Sequence, residues 1–229
     1  MIKILGCIFS LVILFSSTCP EKGLQAIQDL PLQLSGTIGP EERLVIYITG
    51  DGGWSAFSQD LTHEIEKHGY GVVSLNSRKY FWSKKTPELF ARDIETLANY
   101  YLKAWNKTSL IIIGYSFGAD VAAFLPKRLT RDLLSKIDHI ALLSPSLSTD
   151  FVINLLDLIG DSKNTKRKYK VAAELNQPII PFVCLFGIKE DLKLKTALQN
   201  RVGITVQELP GSHIYKNDMA LVVKTIGLK

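Results

Sequence analysis

Apolar residues in this chain fall into short unbroken runs, separated by longer stretches in which they recur every three to five positions. The runs occupy residues 43–49 (RLVIYIT), 70–75 (YGVVSL), 109–114 (SLIIIG), 137–143 (IDHIALL), 181–186 (PFVCLF) and 204–209 (ITVQEL). They are rich in Val and Ile, and several are continuous rather than alternating, which is how strands buried on both faces read. The intervening stretches 57–68, 87–105, 119–134, 192–199 and 219–226 are predicted helices. In 87–105, Leu89, Ile94, Leu97, Tyr101 and Trp105 form roughly one helical face. Strand and helix in alternation predict an α/β fold, a mostly parallel sheet with helices on both faces. Residues 32–38 add an antiparallel edge strand, and the polar, basic stretch 161–177 reads as an insertion over the sheet.

The first residues fit neither pattern. Lys3 precedes a twelve-residue apolar run, residues 4–15, and then Ser16, Ser17, Thr18 and Cys19. One cation, a short apolar run and small residues make a secretory signal. The run is shorter than the ~20 residues of a membrane-spanning helix. Residues 1–19 are therefore expected to direct export. Two fates fit: cleavage near Thr18 or Cys19 into the periplasm, or acylation of Cys19 as the first residue of a membrane-anchored lipoprotein. Residues 20–229 then form the mature, single domain.

Composition narrows the class. Of 229 residues 46% are hydrophobic and 21% charged, which excludes a disordered chain, a fibre and a coiled coil. Three cysteines are too few for a disulfide scaffold; Cys184, within an apolar run, reads as inert core. Lys163, Lys166, Arg167, Lys168 and Lys170 account for the whole net charge of +5. That is a local basic patch, so no nucleic-acid partner is expected. A solvated loop is the plain reading of the patch, and attraction to anionic lipid headgroups is the functional one.

The chemistry sits after the third run. Gly114-Tyr115-Ser116-Phe117-Gly118 lies between a buried strand and a helix, the setting of a nucleophile elbow. Such a serine needs a base and an orienting acid, which in α/β-hydrolases come in the order Ser, acid, His on loops after later strands. Of the four histidines, His63 and His68 precede the elbow and His139 lies inside a strand. His213, in a turn after residues 204–209, has the right order and place. The acid is expected after residues 181–186, where both Glu190 and Asp191 are candidates. Gly50-Asp51-Gly52-Gly53, directly after the first run, lets backbone approach a ligand closely. By position the oxyanion hole is formed by the backbone N–H of Asp51 (or Gly52) and that of Phe117. The glycine cluster lacks the Gly-Lys-Ser/Thr ending of a phosphate loop, and no His/Cys/Asp cluster has metal-ligand spacing, so no cofactor and no metal is expected.

Longer stretches carry a resemblance. Gly50-Asp51-Gly52-Gly53-Trp54, Tyr80-Phe81-Trp82-Ser83 with Thr86-Pro87-Glu88, the elbow extended through Ala119-Asp120-Val121, Leu142-Leu143-Ser144-Pro145 with Asp150-Phe151, and Pro210-Gly211-Ser212-His213 occur in order from Val45 to the C-terminus. Together they resemble the VirJ/AcvB family of bacterial virulence-associated proteins. The resemblance implies an exported α/β-hydrolase that removes the aminoacyl group from aminoacyl-phosphatidylglycerol of the lysyl-phosphatidylglycerol type. It also implies links to virulence and type IV secretion, hence a secretion-system component as partner. A non-catalytic binding protein on the same scaffold is the alternative reading. The chain departs from the family pattern at Lys127-Arg128-Leu129 and in the histidine turn, where Ile214 stands in place of a second histidine.

Overall fold

The computed structural model describes residues 27–36, 39–153, 167–190 and 193–229. A seven-stranded sheet forms the centre. Its strands are β1 (Leu32–Ser35), β2 (Arg43–Ile48), β3 (Gly71–Leu75), β4 (Ser109–Tyr115), β5 (Ile137–Leu143), β8 (Phe182–Gly187) and β9 (Ile204–Leu209). They lie in the order β1-β3-β2-β4-β5-β8-β9. Only β1 runs antiparallel, pairing with β3 at the edge. A two-stranded ribbon, β6 (Ser148–Thr149) with β7 (Tyr169–Lys170), stands apart from the sheet.

Both faces of the sheet are covered. Along β2 the side chains alternate: Val45 and Tyr47 enter one core, while Leu44, Ile46 and Ile48 enter the other. On the first face lie α1 (Ala56–Lys67) and α8 (Met219–Thr225). On the second lie α3 (Pro87–Ala104), α4 (Phe117–Ala122), α6 (Val171–Glu174) and α7 (Lys193–Leu198). Continuous apolar runs are what two covered faces require.

Local signals set the helix ends. Thr86 caps α3 by accepting from Leu89 N–H at 3.2 Å, with Pro87 in the first turn, where its missing N–H costs nothing. The buried face of α3 is Phe90, Ile94, Leu97 and Tyr101, and Leu89 is turned to solvent. The expected helix 119–134 is two short helices instead, α4 and α5 (Arg131–Leu134). Pro126 offers no N–H and disfavours helical backbone at the residue before it. Thr130 then starts α5 as its cap. Of the expected insertion 161–177, residues 161–166 lie outside the described residues; the remainder forms β7 and α6, with Tyr169 packed edge-on against Phe151 at 5.0 Å. A short helix α2 (Ser77–Tyr80) comes after β3, where no element was expected.

Candidate active site

The parallel strands end together, and the loops leaving them build one site. Strand β4 delivers Ser116 at its tip. Ser116 N–H still donates to the Leu143 carbonyl of β5 at 2.8 Å, and one residue later α4 has begun. That abrupt change places Ser116 at φ 54°, ψ −119°. A non-glycine residue there is strained, and here the surrounding packing imposes it. The flanking glycines make the close packing feasible. A Cβ at Gly118 would sit 2.2 Å from the Ile48 carbonyl oxygen, and one at Gly114 would sit 2.4 Å from the Gly118 carbonyl oxygen.

Opposite the serine lies the turn after β2. Gly53 N–H closes it on the Gly50 carbonyl at 3.0 Å, so the N–H groups of Asp51 and Gly52 are not used by the turn itself. Ser77 anchors the start of this loop, donating its hydroxyl to the Thr49 carbonyl at 2.6 Å. Phe117 opens α4, so its N–H belongs to the set that no helical carbonyl can accept.

His213 enters from the turn after β9. Its carbonyl accepts from the Tyr115 hydroxyl at 3.3 Å, and its ring lies 5.1 Å from that of Tyr115. Tyr115 is in turn stacked on Phe57 at 4.0 Å. The imidazole is 45% exposed, while the carboxyl of Glu190 beneath it is only 9% exposed. His213 Nδ1 stands 2.7 Å from Glu190 Oε1. An ionised carboxylate can only accept, so Nδ1 carries the proton and Nε2 of the neutral ring is left as an acceptor.

Glu190 is fully engaged. Its Oε2 accepts from Gly187 N–H at 2.7 Å and from the Ser144 hydroxyl at 2.8 Å. Burial alone would raise its pKa; the bonds from His213, Gly187 and Ser144, with the charge His213 carries when protonated, outweigh burial and hold the carboxyl below its ordinary range. Ser144 itself sits at φ 54° at the end of β5. Its oxygen also meets the buried Tyr215 hydroxyl at 2.5 Å, and that hydroxyl lies 3.1 Å from the Leu185 carbonyl.

A second buried carboxyl lies one turn beyond the serine. Asp120 accepts from the Ser146 N–H and hydroxyl, both at 2.6 Å, which ties α4 to the loop after β5. Burial pushes its pKa up to about 7, against the lowering effect of the Ser146 bonds, of the nearby Arg167 charge and of His213 when protonated.

Ser116, His213 and Asp51 line one pocket of about 460 Å³, with Tyr115, Phe57 and Ile214 among the remaining walls. The structure thus brings Ser116, His213, Glu190, Asp51 and Phe117 to one end of the sheet. Asp191 lies outside the described residues. His63 is exposed on α1, His68 ends that helix, and His139 holds the Ile226 carbonyl through Nε2 at 2.8 Å; none of the three lines the pocket. Ser144 and Asp120 stand in stretches that carry the family resemblance, but nothing in those stretches assigned them a role in the site, and Tyr215 lies in none of them. Among the described residues no group of three or more His, Cys, Asp or Glu stands together to hold a metal ion.

Comparison with known proteins agrees with this architecture. The family of bacterial virulence proteins named VirJ matches residues 42–228. No curated protein matches the chain. Among solved structures, a hydrolase from Oleispira antarctica superposes with a TM-score of 0.62 at 14% identity, covering 90% of this chain and 98% of its own. The thioesterase domain of the curacin biosynthetic pathway gives 0.60 at 12% identity, covering 85% and 93%. The ferulic-acid-bound Est1E of Butyrivibrio proteoclasticus gives 0.58 at 15% identity, covering 86% and 92%. At such identities the likeness is one of fold, the α/β-hydrolase fold.

Proposed function

The chain belongs to the VirJ family, and from that premise we propose that it is an exported serine esterase acting on aminoacyl-phosphatidylglycerol. The observation that carries the reading is the 2.7 Å contact of His213 Nδ1 with a buried, ionised Glu190, beside a strained Ser116 on the wall of the same pocket. In this mechanism Ser116 Oγ adds to the acyl carbonyl and gives its proton to His213 Nε2. The N–H groups of Asp51 (or Gly52) and Phe117 hold the oxyanion. His213 then returns the proton to the leaving glycerol oxygen. Water, activated by the same imidazole, releases the amino acid and restores Ser116.

The aminoacyl choice draws support from Asp51. It lines the pocket together with Ser116 and His213. An aminoacyl ester carries an ammonium beside its scissile carbonyl, and a carboxylate at that place complements it. Export to the periplasm, or anchoring through Cys19, belongs to this proposal and rests on residues 1–19, outside the described residues. So does the help of the basic stretch 163–170 at a lipid surface; residues 163–166 are likewise outside the described residues.

The test is direct. Protein from Pro20 onward is mixed with lysyl-phosphatidylglycerol in mixed micelles, and free lysine is measured. Release by the wild type and none by Ser116→Ala is expected. Hydrolysis of a soluble ester without release of lysine would refute the lipid substrate and leave a general esterase.

A further inference from the structure

Eight large apolar side chains are exposed among the described residues. Leu34 is on the edge strand, and Ile179 and Val202 lie just before β8 and β9, at the end of the sheet away from Ser116. The other five gather at the pocket end. Trp82, 58% exposed, comes after α2; Leu89 stands in the first turn of α3; Leu147, Ile188 and Ile214 come after β5, β8 and β9. Ile214 also lines the pocket. Separate chain crossovers thus each place a wetted apolar side chain at the pocket end of the sheet, and together they form its apolar rim. Single exposed apolar residues are ordinary, but several at one end of a sheet mark an interaction surface.

Charge decides what this rim fits. Lys84 and Lys85 lie just past Trp82, Lys189 is next to Ile188, and Lys216 is two residues beyond Ile214. The described acids on the same loops are engaged: Glu190 with His213, Glu88 with Arg128, and Asp218 as the cap of α8. Apolar tips interleaved with lysines complement an anionic lipid surface, where the tips enter the headgroup boundary and the lysines meet phosphates. Two copies of the chain joined symmetrically through this rim would set lysine against lysine.

We propose that this rim is the surface on which the protein docks to an anionic phospholipid bilayer, with the pocket mouth against the headgroups. Docking itself is independent of the esterase reading; only hydrolysis of a docked lipid rests on it.

Ser116→Ala protein from Pro20 onward is sedimented with vesicles of phosphatidylcholine, with and without phosphatidylglycerol. Binding is expected with phosphatidylglycerol and should weaken as salt rises. Trp82→Ser with Ile188→Ser should weaken it by about tenfold or more, and Lys84→Gln with Lys189→Gln by roughly fivefold per lysine. Ile179→Ser with Val202→Ser, at least as exposed but at the far end, should change nothing. The same substitutions on the Ser116 protein should leave soluble-ester hydrolysis intact, which also reports their folding. Equal binding by rim and far-end variants would overturn the docking surface, as would rim variants that alter self-association instead of vesicle binding. Absent soluble-ester hydrolysis in the wild type would sink the esterase reading and leave the vesicle result standing.

Discussion

At the scale of single residues, Glu190 is the acid whose geometry engages His213, and its second oxygen is held by Ser144 and Gly187. Glu190→Gln should therefore lower kcat by about four orders of magnitude, because the amide no longer supports the charged imidazole or its tautomer. Asp191→Asn should leave the rate nearly unchanged. Ser144→Ala removes one donor to a charged acceptor, and a loss of roughly tenfold in kcat/KM is expected. Steady-state kinetics on a soluble ester reads all three. Full activity in Glu190→Gln would place the acid elsewhere.

Among the elements, the elbow depends on how closely α4 approaches β2. The hypothetical Cβ at Gly118 meets the Ile48 carbonyl oxygen at 2.2 Å, so Gly118→Ala must push the helix away from the strand. A loss of about 3 kcal/mol in unfolding free energy is expected, as for other overpacked sites. Gly52 tells the opposite story, since nothing lies within 4 Å of its added Cβ. Gly52→Ala should stay within about 0.5 kcal/mol of the wild type. Urea unfolding compares the two, and equal stability would mean that the elbow has room the structure does not show. The element scale also explains the split of the expected helix 119–134. Its apolar pattern is real, since Phe124 and Leu125 are buried, but burial there is reached through turns around Pro126.

For the whole molecule, Asp120 couples the elbow helix to the β5 loop and makes stability depend on pH. Its folded pKa is about 7, against about 4 for an unfolded aspartate. The folded state therefore holds this proton more tightly, and stability falls as pH rises from about 4 to about 7, by roughly 4 kcal/mol for this group alone. Asp120→Asn cannot ionise, so it should match the wild type near pH 4 and melt higher than it above pH 7. Thermal melts across that range check the sign; a gap that shrinks as pH rises would refute the assignment. Cys184 belongs to the same scale. It is buried, with its thiol pushed up to about 12 by burial.

Much was legible in the chain because periodic burial writes itself into sequence. The runs at 43–49 and 109–114 read as doubly buried strands, since a sheet covered on both faces leaves no polar positions. Gly114 and Gly118 marked a backbone with no room for side chains, and chain order singled out His213 among four histidines. The choice between Glu190 and Asp191 obeyed no such rule. Neighbours on an irregular loop have no period, and the direction of the Glu190 side chain is set by the turn that its N–H closes on the Gly187 carbonyl. Ser144 and Tyr215, 71 positions apart, meet only because β5 and β8 are adjacent and the histidine turn folds back over them. The apolar and lysine residues at the pocket end of the sheet are scattered along the sequence. Parallel strand direction gathered them at one end, which is a property of the assembled sheet and not of any segment in it.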